Sequence, residues 1–587
     1  MNNWFKKVLF TRLSLVLLAA NVSPTIAQTT RPQINLAPRY VPVKPAHTKI
    51  VGSQSHGAVE VKFVEGSTYR LRNGNITTLR SDPLGGIKAV FQNHPVRKIE
   101  RLFTLSEDEI EADRLETQTL SNEQMPDLNL WYQLTVEEGT DAEALIDALN
   151  ALPEVEIASP ALLPAPLPAE FTGNTHTSEL LAPELASPDF LAQQGYLNPA
   201  PDGIDAKYAW GIPGGTGSNV TIVDIEYSFN KQHEDLPRRI PVVWGQQWNG
   251  YGDDHGTAVL GVLVGMSNSY GVTGIAYAAH AKFSSACMNS TTCNYSVANA
   301  INSAKRNTAY GDVILIEQQT SVCGLTDYGP VEWSQSVFEA IKIATAAGRI
   351  VVEAAGNGNV DLDGAGCDNK FDRDVRDSGA IIVGAGAPPT YPSQVDRSRL
   401  CWNLDNLINC STYGSRVDVQ GWGSLVTTAG WGDLYTGTGK NQWYTGGFRG
   451  TSSSSPVVAG AAAILSSIAE ERGLKMSPYW IRSTLVNTGS SQQDDPSHPA
   501  SEHIGPRPNL KEAIAMLDPN FISQFNSNAS GWSVVTGAWG RPLNLRSIMV
   551  AVRPLPRKPA QILGCNSSST RMGRIPAHQR LMAPSQL

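Results

Sequence analysis

The sequence predicts an α/β fold, a parallel central sheet covered by helices on both faces, preceded by a small α+β unit. Three observations predict it. From about residue 190, short apolar runs alternate with amphipathic segments, the pattern of strands joined by crossover helices. A separate strand–helix–strand pattern occupies residues 130–158. A Pro/Ala-rich run, 159–169 (SPALLPAPLPA), separates the two and reads as an extended, protease-accessible linker that the polar stretch 170–186 continues.

In the leading part, residues 28 to about 125 carry few clear signals, although 58–80 alternates in places like strands around turns and 106–125 is acidic and polar. Trp131–Val136 reads as a strand, and Asp141 can cap a helix that carries Leu145, Ile146, Leu149 and Leu152 on one face. Val155–Ala158 is a second short strand. In the larger part, Val220–Asp224, Val313–Ile316, Ile350–Glu353 and Ala380–Val383 are short buried strands. Residues 255–265 and 334–347 read as helices, the second ending at Gly348, and 451–472 as a long helix stopped by Gly473. In a parallel sheet of this kind the working site lies at the carboxyl ends of the strands.

Composition limits the function. The 587 residues are 41% hydrophobic and 17% charged, enough to bury a core. The net charge of −8 gives no support for nucleic-acid binding. It is unevenly spread. The first 27 residues carry three basic residues and no acid, and 541–587 carry eight and no acid, so the body between is strongly acidic. Lys6, Lys7 and Arg12 precede an apolar run, Leu13–Ala20, and Thr25-Ile26-Ala27 offers small residues for cleavage. This is the pattern of a secretory signal, 1–27, and the run is short for a membrane span. A secreted, extracellular or periplasmic protein with no membrane segment in its mature form is expected. Phe521–Gly540 starts like a β-domain and then stops, so 518–587 is expected to be a truncated or disordered C-terminal region.

Four segments place reactive residues at strand ends or helix starts. Asp224 ends a strand in VTIVDIEYSFNKQHEDL, His255 opens a helix in DDHGTAVLGVLVG, Asn357 follows a strand in VVEAAGNGN, and Ser452 opens a helix in FRGTSSSSPVVAGAAAIL. Singly each is an ordinary cap or turn residue. Together they supply what acyl transfer needs: a nucleophile, a base, an acid to orient the base and an oxyanion donor. The order Asp…His…Ser differs from the Ser…Asp…His of esterases and lipases, and the chain has no G-x-S-x-G elbow.

With these motifs the chain, over about 195–517, resembles the subtilisin-like serine proteases, or subtilases. GTSSSSP matches the family's nucleophile motif, HGTAVLG its histidine motif, AAGN its oxyanion motif and VTIVD its aspartate strand. HEDL, TGSSQ and IGPRPNL resemble further family segments, whereas Ile225-Glu226-Tyr227 departs from the usual D-[ST]-G. The resemblance implies a subtilisin-like three-layer fold in 191–517. It implies a secreted serine endopeptidase in which Ser452 is nucleophile, His255 general base, Asp224 the acid that orients His255, and Asn357 the oxyanion donor. Glu226 is a rival acid, two residues beyond the expected strand end. Glu317-Gln318-Gln319 stands where many members have S-L-G-G and is expected to line the substrate cleft. Polypeptides are the implied substrates. Region 28–158 is the implied propeptide and intramolecular inhibitor, and 159–190 the linker carrying the processing site. The alternative is an inactive, exported binding protein on the same fold.

No cofactor is required by this chemistry. Structural calcium is common in the family, and Asp361/Asp363 and Asp253/Asp254 are the acidic candidates, although neither has the spacing of an EF-hand loop. Of seven cysteines, Cys287/Cys293 and Cys401/Cys410 could close small loops, Cys323/Cys367 could pair across the cleft rim, and Cys565 is left odd.

Overall fold

A computed structural model describes residues 36–166, 186–404 and 407–517, together with two short paired strands, Trp532–Val534 and Val552–Pro554. The expected signal segment, most of the linker and most of the C-terminal region lie outside the described residues. The chain divides into two units, Met1–Lys49 with Ser55–Ala161, and Ile50–Gln54 with Leu162–Leu587.

The smaller unit is built on a four-stranded sheet. Its strands are β1 (Gln54–Phe63), β2 (Val96–Arg101), β3 (Trp131–Val136) and β4 (Val155–Leu162), in the order β2-β3-β1-β4. Strand β1 runs antiparallel to β3, with Val61 opposite Tyr132. Helices α1 (Gly85–Asn93), α2 (Glu107–Ser121) and α3 (Ala142–Asn150) complete it. The strand–helix–strand expected over 130–158 is β3-α3-β4, and Asp141 caps α3 by accepting the Ala144 N–H at 3.1 Å. Helix α2 lies in the stretch that reads only as acidic and polar. Its apolar face is short, but Ser106 and Glu109 form a reciprocal capping box that satisfies its first free N–H groups. Strand β4 runs on to Leu162, so the first four residues of the expected linker belong to the sheet.

The larger unit contains a seven-stranded sheet of β5 (Thr221–Glu226), β6 (Val242–Trp244), β7 (His280–Ser285), β8 (Val313–Ile316), β9 (Ile350–Ala354), β10 (Ile381–Gly386) and β11 (Val419–Trp422). The order is β11-β10-β9-β8-β5-β7-β6, and every pairing is parallel. Strands buried on both faces explain the continuous apolar runs such as Val313–Ile316. Ile222, Leu315 and Val352 share one core with helices α4 (Asp254–Val264) and α7 (Thr451–Glu471). Helices α5 (Val297–Arg306) and α6 (Gln335–Ala346) pack on each other and on the sheet. Thus the parallel, helix-covered α/β architecture read from the sequence is the one observed. Strands β6, β7 and β11 and helix α5 are additions to that reading.

Helix α7 is long and apolar enough by composition to cross a membrane, yet Thr451 through Ala469 are buried in the core. Gly460 permits the packing, because a Cβ there would lie 2.6 Å from Ile275. The three expected cysteine pairs are disulfides: Cys287–Cys293, Cys323–Cys367 and Cys401–Cys410. Cys565 lies outside the described residues.

Candidate active site

Parallel pairing brings the carboxyl ends of β5, β8 and β9 into line. Asp224 stands opposite Leu315, and Leu315 opposite Val352. Period-two alternation then carries Glu226, Glu317 and Ala354 to one face of the sheet, the face on which α4 and α7 lie. His255 is the second residue of α4, Ser452 the second of α7, and Asn357 follows β9.

The acid that meets His255 is Glu226. Its Oε2 lies 2.5 Å from His255 Nδ1, and its Oε1 accepts the Tyr227 N–H at 2.6 Å. Asp224, the expected partner, is fully buried, and neither of its oxygens has a hydrogen-bond partner. The correction has a simple cause. Strand β5 continues two residues past Asp224 and ends at Glu226, so both carboxyls point to the same face and only the second reaches the start of α4. The acid does stand at the strand end, but that end lies two residues later than the apolar run VTIVD suggests. Gly256 leaves room for the contact, since a Cβ there would sit 2.8 Å from Glu226 Cγ and 2.3 Å from the Ser228 carbonyl. His255 Nε2 is buried without a partner, and the ring is bounded edge-on by Phe448 and Trp431.

Asn357 is oriented by its neighbours. The Thr451 N–H and hydroxyl both donate to its Oδ1, at 2.9 and 3.0 Å. Two donors on one atom identify that atom as the oxygen, so Nδ2 is left as the outward donor. Gly450 adopts φ +89°, and a Cβ there would lie 3.0 Å from Asn357 Oδ1, so glycine is needed for conformation and for space. In the first turn of α7 the Ser452 N–H has no intrahelical acceptor to claim it. The neighbouring serines have other duties. Ser453 Oγ donates to the Trp422 and Gly450 carbonyls, Ser454 Oγ to the Gly450 carbonyl, and Ser455 Oγ to Glu317 Oε1 and the Thr451 carbonyl.

Glu317, Gln318 and Gln319 line a small cavity with Ser452, Thr451, Ala354 and Tyr227. Gln319 Oε1 accepts the Asn357 N–H at 3.1 Å, and Gln318 Oε1 accepts the Tyr295 hydroxyl at 2.8 Å. Glu317 is buried beside the serine helix. Burial pushes its carboxyl well above the usual range, the charge of Glu226 adds to the rise, and the Ser455 and Ser452 hydroxyls oppose it. Burial likewise raises Asp224, helped by the charges of Glu226 and Glu317. Three carboxyls, those of Asp224, Glu226 and Glu317, are thus buried close together, and burial and like charge push Asp224 and Glu317 in the same upward direction.

The acidic calcium candidates have partners within the chain. Lys440 Nζ lies 2.5 Å from Asp253 and 3.2 Å from Asp254. Both Asp363 oxygens accept from Ser415, and among the described residues no three metal-ligating side chains converge.

Residues 215–505 match the family model described as the subtilase family. Subtilisin DY of Bacillus licheniformis is 27% identical over 281 residues, which are 47% of this chain and 86% of that protein. Among solved structures, fervidolysin from Fervidobacterium pennivorans, described as a keratinolytic enzyme related to subtilisin, aligns with a TM-score of 0.48 at 16% identity. That alignment covers 85% of this chain and 66% of fervidolysin's, just under two thirds. A protease of Pseudoalteromonas arctica aligns with a TM-score of 0.40 at 20% identity, covering 57% of this chain and 99% of its own.

Proposed function

Because residues 215–505 form a domain of the subtilase family of serine proteases, we propose that the chain is a secreted serine endopeptidase, made as an inhibited precursor, whose triad is Ser452, His255 and Glu226. The observation that carries this reading is the His255 Nδ1–Glu226 contact, with Nε2 buried and unclaimed. A carboxylate on Nδ1 keeps the proton there, so Nε2 holds the lone pair that a general base needs.

In this mechanism Ser452 Oγ attacks the scissile carbonyl as His255 Nε2 takes its proton. The tetrahedral oxyanion accepts hydrogen bonds from Asn357 Nδ2 and the Ser452 N–H, both held in place before the substrate arrives. His255 then protonates the leaving amine, and the acyl-enzyme is hydrolysed by the same steps run with water. Glu226 stabilises the imidazolium throughout and need not itself take up a proton.

The first 27 residues would direct export, and the three disulfides suit an oxidising compartment. The smaller unit would act as the propeptide, with cleavage in the run 159–190. The experiment compares wild type with Ser452→Ala. Wild type should react with a fluorophosphonate, cleave a protein substrate and shorten itself from the N-terminus. Ser452→Ala should do none of these, since losing the nucleophile typically costs about 10⁶ in kcat. A folded wild type that fails to label would favour an exported binding protein on this fold.

A further inference from the structure

Beside Ser452 the larger unit holds a short piece of its own chain, Pro164-Ala165-Pro166, whose last two residues line the cavity with Tyr227, Glu317 and Gln319. All three of its carbonyls accept from side chains. Tyr251 Oη approaches the Pro164 carbonyl at 3.4 Å, Tyr227 Oη donates to Ala165 at 3.0 Å, and Gln319 Nε2 donates to Pro166 at 3.0 Å. The two prolines have no N–H, so they cannot complete a strand-type ladder, and here the groove itself supplies the donors.

The donors stand in an aromatic cluster. The Tyr227 ring lies edge-on to Trp248 and Tyr251 at 5.6 and 5.4 Å, Trp248 meets Tyr251 at 5.1 Å, and Tyr295 lies 6.0 Å from Tyr227. Rings backed by hydroxyl and amide donors are the chemistry that reads polyproline-type segments, whose carbonyls point outward and whose backbone is already extended. Burial raises the hydroxyls of Tyr227 and Tyr251 above the ordinary tyrosine range, which keeps both as donors through neutral pH.

We propose that this aromatic groove is a binding site for proline-rich, extended peptide segments, and that its substrates carry a Pro-x-Pro run where 164–166 lie. The claim about substrates rests on the peptidase reading, but the claim about the groove does not. The test uses the full chain carrying Ser452→Ala, with Pro164→Ala and Pro166→Ala to release the internal segment. A labelled peptide Leu-Pro-Ala-Pro-Leu-Pro-Ala is titrated in, and its affinity is compared with that of the same peptide with every proline replaced by alanine. The proline peptide should bind at least tenfold tighter. Tyr227→Phe with Tyr251→Phe should weaken the proline peptide by roughly fivefold for each hydroxyl lost. Equal affinities of the two peptides, no binding of either at millimolar concentration, or an affinity for the proline peptide unchanged by the double Phe variant would each overturn the proposal. Fluorophosphonate labelling of the same chain with Ser452 restored reports the nucleophile separately. Labelling without proline preference sinks the groove alone, and proline preference without labelling sinks the peptidase reading alone.

Discussion

Replacing Glu226 by glutamine should disable the enzyme while preserving the shape of the site. The Tyr227 N–H already donates to one oxygen of this carboxyl at 2.6 Å. In the glutamine variant the amide oxygen must take that position, which turns the NH₂ toward His255 Nδ1. A donor facing Nδ1 forces the proton onto Nε2, and the imidazole can no longer accept the proton of Ser452 Oγ. Fixing the wrong tautomer in this way costs about 10⁴ in kcat, equivalent to about 5.4 kcal/mol of transition-state stabilisation at 1.36 kcal/mol per decade. Asp224→Asn makes no such change, because neither Asp224 oxygen is engaged, and kcat should stay within about tenfold. The assay is kcat/KM on a fluorogenic peptide together with the rate of fluorophosphonate labelling, with circular dichroism to confirm folding. If Asp224→Asn fell by about 10⁴ while Glu226→Gln stayed near wild type, the assignment of the acid would be refuted.

Three further outcomes follow from the same geometry. Asn357→Leu should lower kcat by about 10²–10³ with KM little changed, the loss expected of the proposed transition-state donor Nδ2; a change confined to KM would refute that role. Asp224 and Glu317 hold their protons in the folded state to well above the range, near pH 4, at which an unfolded chain releases them. Between those limits the folded state binds more protons, so stability falls as pH rises from about 4 toward the raised folded values. The double variant Asp224→Asn, Glu317→Gln should flatten the fall of Tm as pH rises above the ordinary carboxyl range near about 4, and an unchanged slope would refute the account. Removing the Cys323–Cys367 bridge, which closes a 44-residue separation, should lower unfolding stability by about 4 kcal/mol in the chain-entropy account, measured as a shift in urea midpoint.

Much of this protein was determined by local sequence alone. Short apolar runs such as Val313–Ile316, rich in β-branched residues, read as strands buried on both faces, and this one is such a strand. Gly348 and Gly473, at φ +85° and +72°, stop the preceding helices because few other residues tolerate that backbone. Ser452, His255 and Asn357 are legible because each sits in a short motif whose glycines have a local reason to be there. The capping box of α2 is present in the sequence as Ser106 and Glu109, but without a strong apolar stripe beside it nothing marks the segment as a helix. Strands β6 and β11 are short, contain polar or tryptophan positions, and become strands only because a neighbour already stands in the sheet. The choice between Asp224 and Glu226 belonged to the tertiary structure. Both carboxyls alternate onto the same face, so periodicity cannot separate them, and the decision depends on where α4 delivers His255 across the sheet. The same holds for the groove around Tyr227. Its rings and amide come from residues 227, 248, 251, 295 and 319, and no local pattern links positions that only folding brings to one peptide segment.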